Sequence, residues 1–259
     1  MSHEPVVTRC ETVEEAAAAA SEVLATAIAS ARTVRGRAHV ALSGGSVVGQ
    51  AYRMLGPELP EWRDVHLWYG DERVVPHDDP ESTHRLATET LDAPGATWHP
   101  LAVDLGCEGA AAAYAEELDG TVIDIALMGM GPDGHTASLF PGHPMLHAEG
   151  IAVCVRDSPK PPPERVTLTL GKLNESRTIL LLVTGAEKAP MLARVIAGPD
   201  PEVPASLLAH DRLEIIASGK VLGDIEAITL YIEEGGRHHG QSRMAGDEDA
   251  DQFLLEGPR

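Results

Sequence analysis

Four short stretches of this chain bring glycine together with hydroxyl, charged or imidazole side chains. Ser43-Gly44-Gly45-Ser46 lies between an apolar run and a helical one. Bare backbone N–H groups at a helix start, with two hydroxyls beside them, suit an anion such as phosphate. An ordinary tight turn is the structural alternative, and the stretch is neither a Walker loop nor a Gly-x-Gly-x-x-Gly fingerprint, so no nucleotide is implied. Asp71-Glu72-Arg73 sets two acids and a guanidinium at a strand end. The arginine could hold a substrate oxyanion, while the acids hold hydroxyls or the arginine itself; the alternative is a solvated ion-pair turn. Gly129-Met130-Gly131-Pro132-Asp133-Gly134-His135 is a loop with three glycines that closes on an acid and an imidazole two residues apart. A neutral imidazole there can take a proton from water. Lys188, just after Thr184-Gly185, is a compact positive charge suited to a phosphate, or else a surface lysine.

These stretches need elements to hold them. Thr12 and Glu15 form a capping box, and Ala16, Ala20, Leu24, Ile28 and Ala31 follow at helical spacing, which predicts a long opening helix. His39 to Leu42 reads as a strand running into the Ser43 loop and a helix over Val47 to Leu55. Val65 to Tyr69 runs into Gly70 to Arg73, and Val122 to Met128 into the Gly129 loop. Arg165 to Leu170, Thr178 to Val183, Leu213 to Ile216 and Ile225 to Ile232 are further strand candidates, with a helix over Ala186 to Ile196. Apolar β-rich runs alternating with helices predict an α/β fold with a mainly parallel sheet covered by helices on both faces. Such sheets place ligands at the carboxyl ends of their strands, where these polar loops fall. The proline-rich segment Asp157 to Glu164 is an internal loop in this reading. One domain is expected over residues 1–232, with an acidic, frayed tail over 233–259.

The charge balance narrows the partners. Twenty Lys and Arg stand against 40 Asp and Glu, a formal charge of −20. Such a surface repels polyanions, so neither nucleic acid nor an anionic membrane is an expected partner. Cys10, Cys107 and Cys154 are odd in number, far apart and without a Cys-x-x-Cys pairing, which reads as reduced thiols in the cytoplasm. The opening Met-Ser-His-Glu-Pro has no basic stretch of a secretory leader, and the longest strongly apolar run, Ile179 to Val183, is far short of a membrane span. His143 and His147 are four apart, but Pro144 intervenes and no third ligand follows, so no metal is expected.

Five blocks in order carry a resemblance. Leu42 to Ser46, Gly70 to Pro76, Met128 to Gly142, Arg165 to Leu170 and Thr184 to Ala189, spread over about residues 12 to 208, resemble the glucosamine-6-phosphate isomerase/6-phosphogluconolactonase family on its lactonase side. The resemblance implies a Rossmann-like α/β fold and hydrolysis of 6-phospho-D-glucono-1,5-lactone to 6-phosphogluconate in the oxidative pentose phosphate pathway. It implies no cofactor. His135 would be the base, with Asp133 orienting it and Arg73 steadying the oxyanion. Ser43, Gly44, Gly45, Ser46, Asp71, Glu72, Gly131, Gly134, Thr136, Arg165 and Lys188 would bind the substrate.

In the deaminases of the family the Asp-Gly-His loop runs on into an Asn-Glu pair whose acid serves ring opening; here Leu139-Phe140 stands there, which favours the lactonase. A sugar-phosphate sensor is the reading from another class, and it would call for a basic helix-turn-helix segment that an acidic chain does not offer. The chain departs from the lactonase pattern at Val47 and Val48, where Thr-Pro is usual, and at Thr83, where Asn is usual. It also lacks the usual closing pattern after Leu207.

Overall fold

The computed structural model describes residues 5–59 and 61–218, with the backbone of the short pair Ile225–Glu226 and Ser242–Arg243. The expected strand over 225–232 and the tail over 233–259 otherwise lie outside the described residues.

Seven parallel strands form one sheet: β1 (Val6–Cys10), β2 (Ala38–Leu42), β3 (Val65–Tyr69), β5 (Thr97–Trp98), β6 (Ile125–Gly129), β9 (Thr178–Thr184) and β10 (Leu213–Ser218), in the spatial order β1-β10-β9-β6-β2-β3-β5. The inner strands are apolar on both faces; Ile179 to Val183 are all buried, as are Ile125 to Met128. That is the residue pattern of a sheet covered on both sides. Helices α1 (Val13–Arg35), α2 (Ser46–Glu58), α3 (Thr83–Thr90), α4 (Gly106–Leu118), α5 (Leu170–Asn174) and α6 (Ala189–Ala197) pack around it. The Thr12–Glu15 capping box opens α1, whose buried face includes Ala16, Ala20, Leu24, Ile28 and Ala31.

Strand order reverses beside β2. The chain runs outward from β2 through β3 to β5, then returns to β6 on the other side of β2 and proceeds through β9 to β10. The carboxyl ends of β2 and β6 thus part in opposite directions and leave a crevice between their loops, the position where open α/β sheets bind ligands.

Three further strands, β4 (Asp71–Arg73), β7 (Ala152–Val155) and β8 (Arg165–Leu168), make an antiparallel ribbon in the order β4-β8-β7. Gly70 ties it to the main sheet, donating its N–H to the Leu42 carbonyl at 2.7 Å and accepting from the Leu168 N–H at 2.8 Å. Two expectations change here. Asp71 to Arg73, expected as a charged loop at a strand end, is itself a short strand, and the run Arg165 to Leu170 stops at Leu168, where the Thr169 side chain caps α5 by accepting from the Lys172 N–H. The proline-rich segment is the loop between β7 and β8.

The reading of three reduced thiols is also corrected. Cys107, in the first turn of α4, and Cys154, on β7, form a disulfide with their Cα atoms 5.3 Å apart. Their separation of 47 residues conceals this, because the sequence does not show that α4 packs on β7 in the folded chain. Among the described residues Cys10 is the free thiol. No described helix is long and apolar enough to cross a membrane.

Candidate active site

A cavity of about 290 Å³ opens at the crevice. Its floor is the β2–α2 loop: Ser43, Gly44, Gly45 and Ser46, followed by Val47 and Val48. Gly45 is the N-cap of α2 and supplies no side-chain cap, so the first turn of a 13-residue helix presents its N–H groups to the cavity without a competing carboxylate or hydroxyl. Ser43 contributes differently from expectation. Its hydroxyl donates to the Leu127 carbonyl at 2.7 Å and its N–H to the Tyr52 hydroxyl at 2.9 Å, so it fixes β2 to β6 and has no free donor for an anion. Lys188 reaches the same cavity from the loop before α6. Burial pulls its pKa below the ordinary 10.5, with Lys160 adding to that and Glu187 opposing it. Bound phosphate would reverse this shift.

His135 also lines the cavity. Its Nδ1 is bonded to Asp133 Oδ1, and its ring lies 4.7 Å from that of Phe140. Since an ionised carboxylate only accepts, Nδ1 carries the proton and Nε2 is left with a lone pair. Burial pulls the imidazole below its ordinary value of 6.5; the Asp133 hydrogen bond and charge oppose this, Lys160 adds to it, and Asp71 opposes it weakly. A neutral ring is the base form. Burial works to raise Asp133, but the hydrogen bond and charge of His135, with the Lys160 ammonium, outweigh it and hold the group below 3.8.

The loop geometry explains two glycines. A Cβ on Gly131 would land far inside van der Waals contact distance of the His135 ring and 2.6 Å from Asp133 Oδ1. Only a hydrogen lets the loop fold back so closely. Gly134 has φ +82 and faces Val203, whose Cγ1 would lie 2.8 Å from a Cβ there. Both therefore shape the loop. Gly131 also lines the cavity, whereas Gly134 and Thr136 do not; the Thr136 hydroxyl donates to the Gly129 carbonyl at 2.9 Å.

The charged strand β4 divides its roles. Arg73 lines the cavity; its Nη1 donates to the Glu81 carbonyl at 2.6 Å, and its buried Nε has no partner. Asp71 also lines the cavity and accepts from Ser138 Oγ at 2.7 Å. Glu72 points elsewhere. It is buried and accepts from the N–H groups of Arg73, Thr83 and His84, each at 2.7 Å, and from Ser82 Oγ at 3.1 Å, which makes it the anchor of α3 and no ligand contact. Arg165 borders the cavity, yet its Nε and Nη2 donate to the carbonyls of Lys160, Pro161 and Pro162 at 3.1–3.2 Å.

Sequence reasoning passed over Lys160 and Ser138, which touch Asp133 and Asp71 respectively. A lysine enclosed by prolines was the available signal for the first; nothing marked the second. Among the described residues no group of three or more His, Cys, Asp or Glu is arranged for a metal, and His143 Nε2 instead meets Asp157 at 2.8 Å.

A parallel sheet with a glycine loop at a helix start and an Asp–His pair at its switch point has the make-up of an α/β enzyme. A family model described as glucosamine-6-phosphate isomerases/6-phosphogluconolactonase matches residues 11–217. The 6-phosphogluconolactonase of Mycobacterium tuberculosis is 41% identical over 210 residues, covering 73% of this chain and 85% of that one. The human 6-phosphogluconolactonase is 40% identical over 195 residues, covering 67% and 74%. The solved structure of the Thermotoga maritima 6-phosphogluconolactonase superposes with a TM-score of 0.76 at 28% identity, over 84% of this chain and all of that one. This chain belongs to the glucosamine-6-phosphate isomerase/6-phosphogluconolactonase family.

Proposed function

We propose that the chain hydrolyses 6-phospho-D-glucono-1,5-lactone to 6-phosphogluconate, the ring-opening step of the oxidative pentose phosphate pathway. The observation that carries the reading is the free Nε2 of His135 in one cavity with the α2 N-terminus and Lys188. A lactone is an activated ester, so one base and one oxyanion partner suffice. His135 Nε2 removes a proton from water as the oxygen attacks the lactone carbonyl, and Asp133 stabilises the imidazolium that forms. Arg73 steadies the tetrahedral oxyanion, which then collapses as the ring C–O bond breaks and the imidazolium gives its proton to the departing ring oxygen. Gly44, Gly45, Ser46 and Lys188 hold the 6-phosphate. Asp71, kept in place by Ser138, accepts from a sugar hydroxyl.

Where the family's deaminases need an acid for ring opening, Leu139 and Phe140 are buried and apolar, which supports the lactonase over the deaminase. We place the enzyme in the cytoplasm because a phosphorylated lactone is a charged metabolite held inside the cell; the cysteines no longer support that placement. Freshly generated 6-phosphogluconolactone and glucosamine 6-phosphate, offered separately, test the reading. Acid release from the lactone above the spontaneous rate is expected; ammonia release from the amino sugar, with no acceleration on the lactone, would overturn it.

A further inference from the structure

The proline-rich loop between β7 and β8 has no part in the chemistry above, yet it is firmly built. Ser158 accepts from the Lys160 N–H and donates to the Lys160 carbonyl at 2.8 Å, and the Ser158 N–H reaches the Pro163 carbonyl. Arg165, with a buried guanidinium, clamps three successive carbonyls of the loop, those of Lys160, Pro161 and Pro162. The result is a backbone with little freedom that carries one long cation. Its ammonium ends 3.3 Å from His135 Nδ1 and 3.6 Å from Asp133 Oδ1.

Both an ammonium and an Nδ1–H are donors, so Lys160 and His135 do not bond to each other; the Nδ1–H is hydrogen-bonded to Asp133 Oδ1, and the ammonium forms an ion pair with that same oxygen at 3.6 Å. We propose that Lys160 is a positioning residue of the lactone-hydrolysing site, a third member that holds the Asp133 carboxylate against His135 and sets the charge around the ring. The proposal rests on His135 being the base. Lys160 does not line the cavity, which separates it from Lys188 and argues for action through Asp133 and not on the substrate.

The charges that face His135 are few. Asp133 comes from its own loop, Lys160 from the β7–β8 loop and Asp71 from β4; Arg165 from β8 and Arg73 from β4 stand behind Asp71, and Lys188 lies across the cavity. Of these, Lys160 is the cation in direct contact with the pair. Loss of its charge leaves Asp71 and Asp133 less opposed, so the imidazolium becomes easier to form and the base is protonated at higher pH. Because the Lys160 side chain is 39% exposed, water and salt screen it, and the effect should be about one pH unit or less.

The test uses the full chain with Lys160→Met, Lys160→Gln, Lys160→Arg and, as control, His135→Ala. With either neutral variant the acid limb of kcat/KM should move up by about half to one pH unit, giving roughly three- to tenfold less activity on that limb. KM on the plateau should stay within about twofold, and Lys160→Arg should restore most of the shift. Titration of the His135 ring protons by NMR, without substrate, should show the same displacement. A merely structural lysine would leave the limb and the ring titration where they are, and that result would overturn the proposal. So would a raised KM with unchanged kcat, which would make Lys160 a substrate contact. If His135→Ala retains activity, the base reading fails whatever Lys160 does; if it is inactive while the Lys160 variants match the parent, the lysine assignment alone falls.

Discussion

Glu72 and Asp133 are two acids at the carboxyl edge of one sheet, each beside a residue with a place in the chemistry, and the molecule treats them in opposite ways. Glu72 receives four donors: three backbone N–H groups, two of them at the start of α3, and a serine hydroxyl. Burial pushes its pKa above the ordinary carboxylate value even so. Every lone pair is committed to scaffold. Asp133 is more exposed, with 38% of its side chain open; beyond one long backbone contact, from the His135 N–H at 3.4 Å, its partners are two side chains able to carry charge, His135 and Lys160. An acid saturated by backbone holds structure, whereas one facing titratable side chains can respond to a proton that moves.

The comparison breaks most visibly if His135 does not need its proton. His135→Ala should lower kcat by roughly 10²–10⁴, the range for losing one acid–base group, with little change in KM; a folded variant within about threefold of the parent would dissolve the distinction. Next in size comes the anchor. Lys188→Ala should cut kcat/KM on the phosphorylated lactone by roughly five- to 150-fold, as loss of a charge-assisted phosphate contact would, and should spare the slow reaction of unphosphorylated gluconolactone. Equal losses on both lactones would move the phosphate elsewhere.

The two acids themselves sharpen it further. Asp133→Asn should reduce kcat by roughly 10–100-fold through the wrong tautomer or orientation of the ring, while leaving the melting temperature nearly unchanged. Glu72→Gln should do the reverse: an amide nitrogen cannot accept, so donors at the start of α3 lose their partner and stability falls by about 1–3 kcal/mol, with kcat of the folded enzyme within about threefold. Thermal melts beside initial rates on the same preparations check both.

How much of this was legible in the chain varies with the range of the signal. The capping box at Thr12, the apolar strands and the loops after β2 and β6 are written in contiguous residues, which makes them legible as elements and as candidate sites. Glu72 reads as a ligand from the sequence because it stands with Asp71 and Arg73 in a charged triplet at a strand end; its partners at the start of α3, Ser82 to His84, lie some ten residues on and meet it only in the folded chain. Ser43 does line the cavity, but what its hydroxyl bonds to is hidden for a similar reason, since the acceptor belongs to β6, 84 residues away. The Cys107–Cys154 bond and the approach of Lys160 to Asp133 are likewise products of the antiparallel ribbon, a long-range pairing with no periodic signature in the sequence.

The central claim is that the neutral imidazole of His135 takes the proton, and the most direct measurement sets two titrations side by side: the acid limb of kcat/KM on fresh lactone, and the NMR titration of the His135 ring in the free enzyme. Because burial and Lys160 outweigh Asp133, the ring should titrate below 6.5, and activity should rise through that same midpoint as pH increases. Coincident midpoints below 6.5 are the predicted result. A rate that stays flat while the His135 ring titrates would contradict the account.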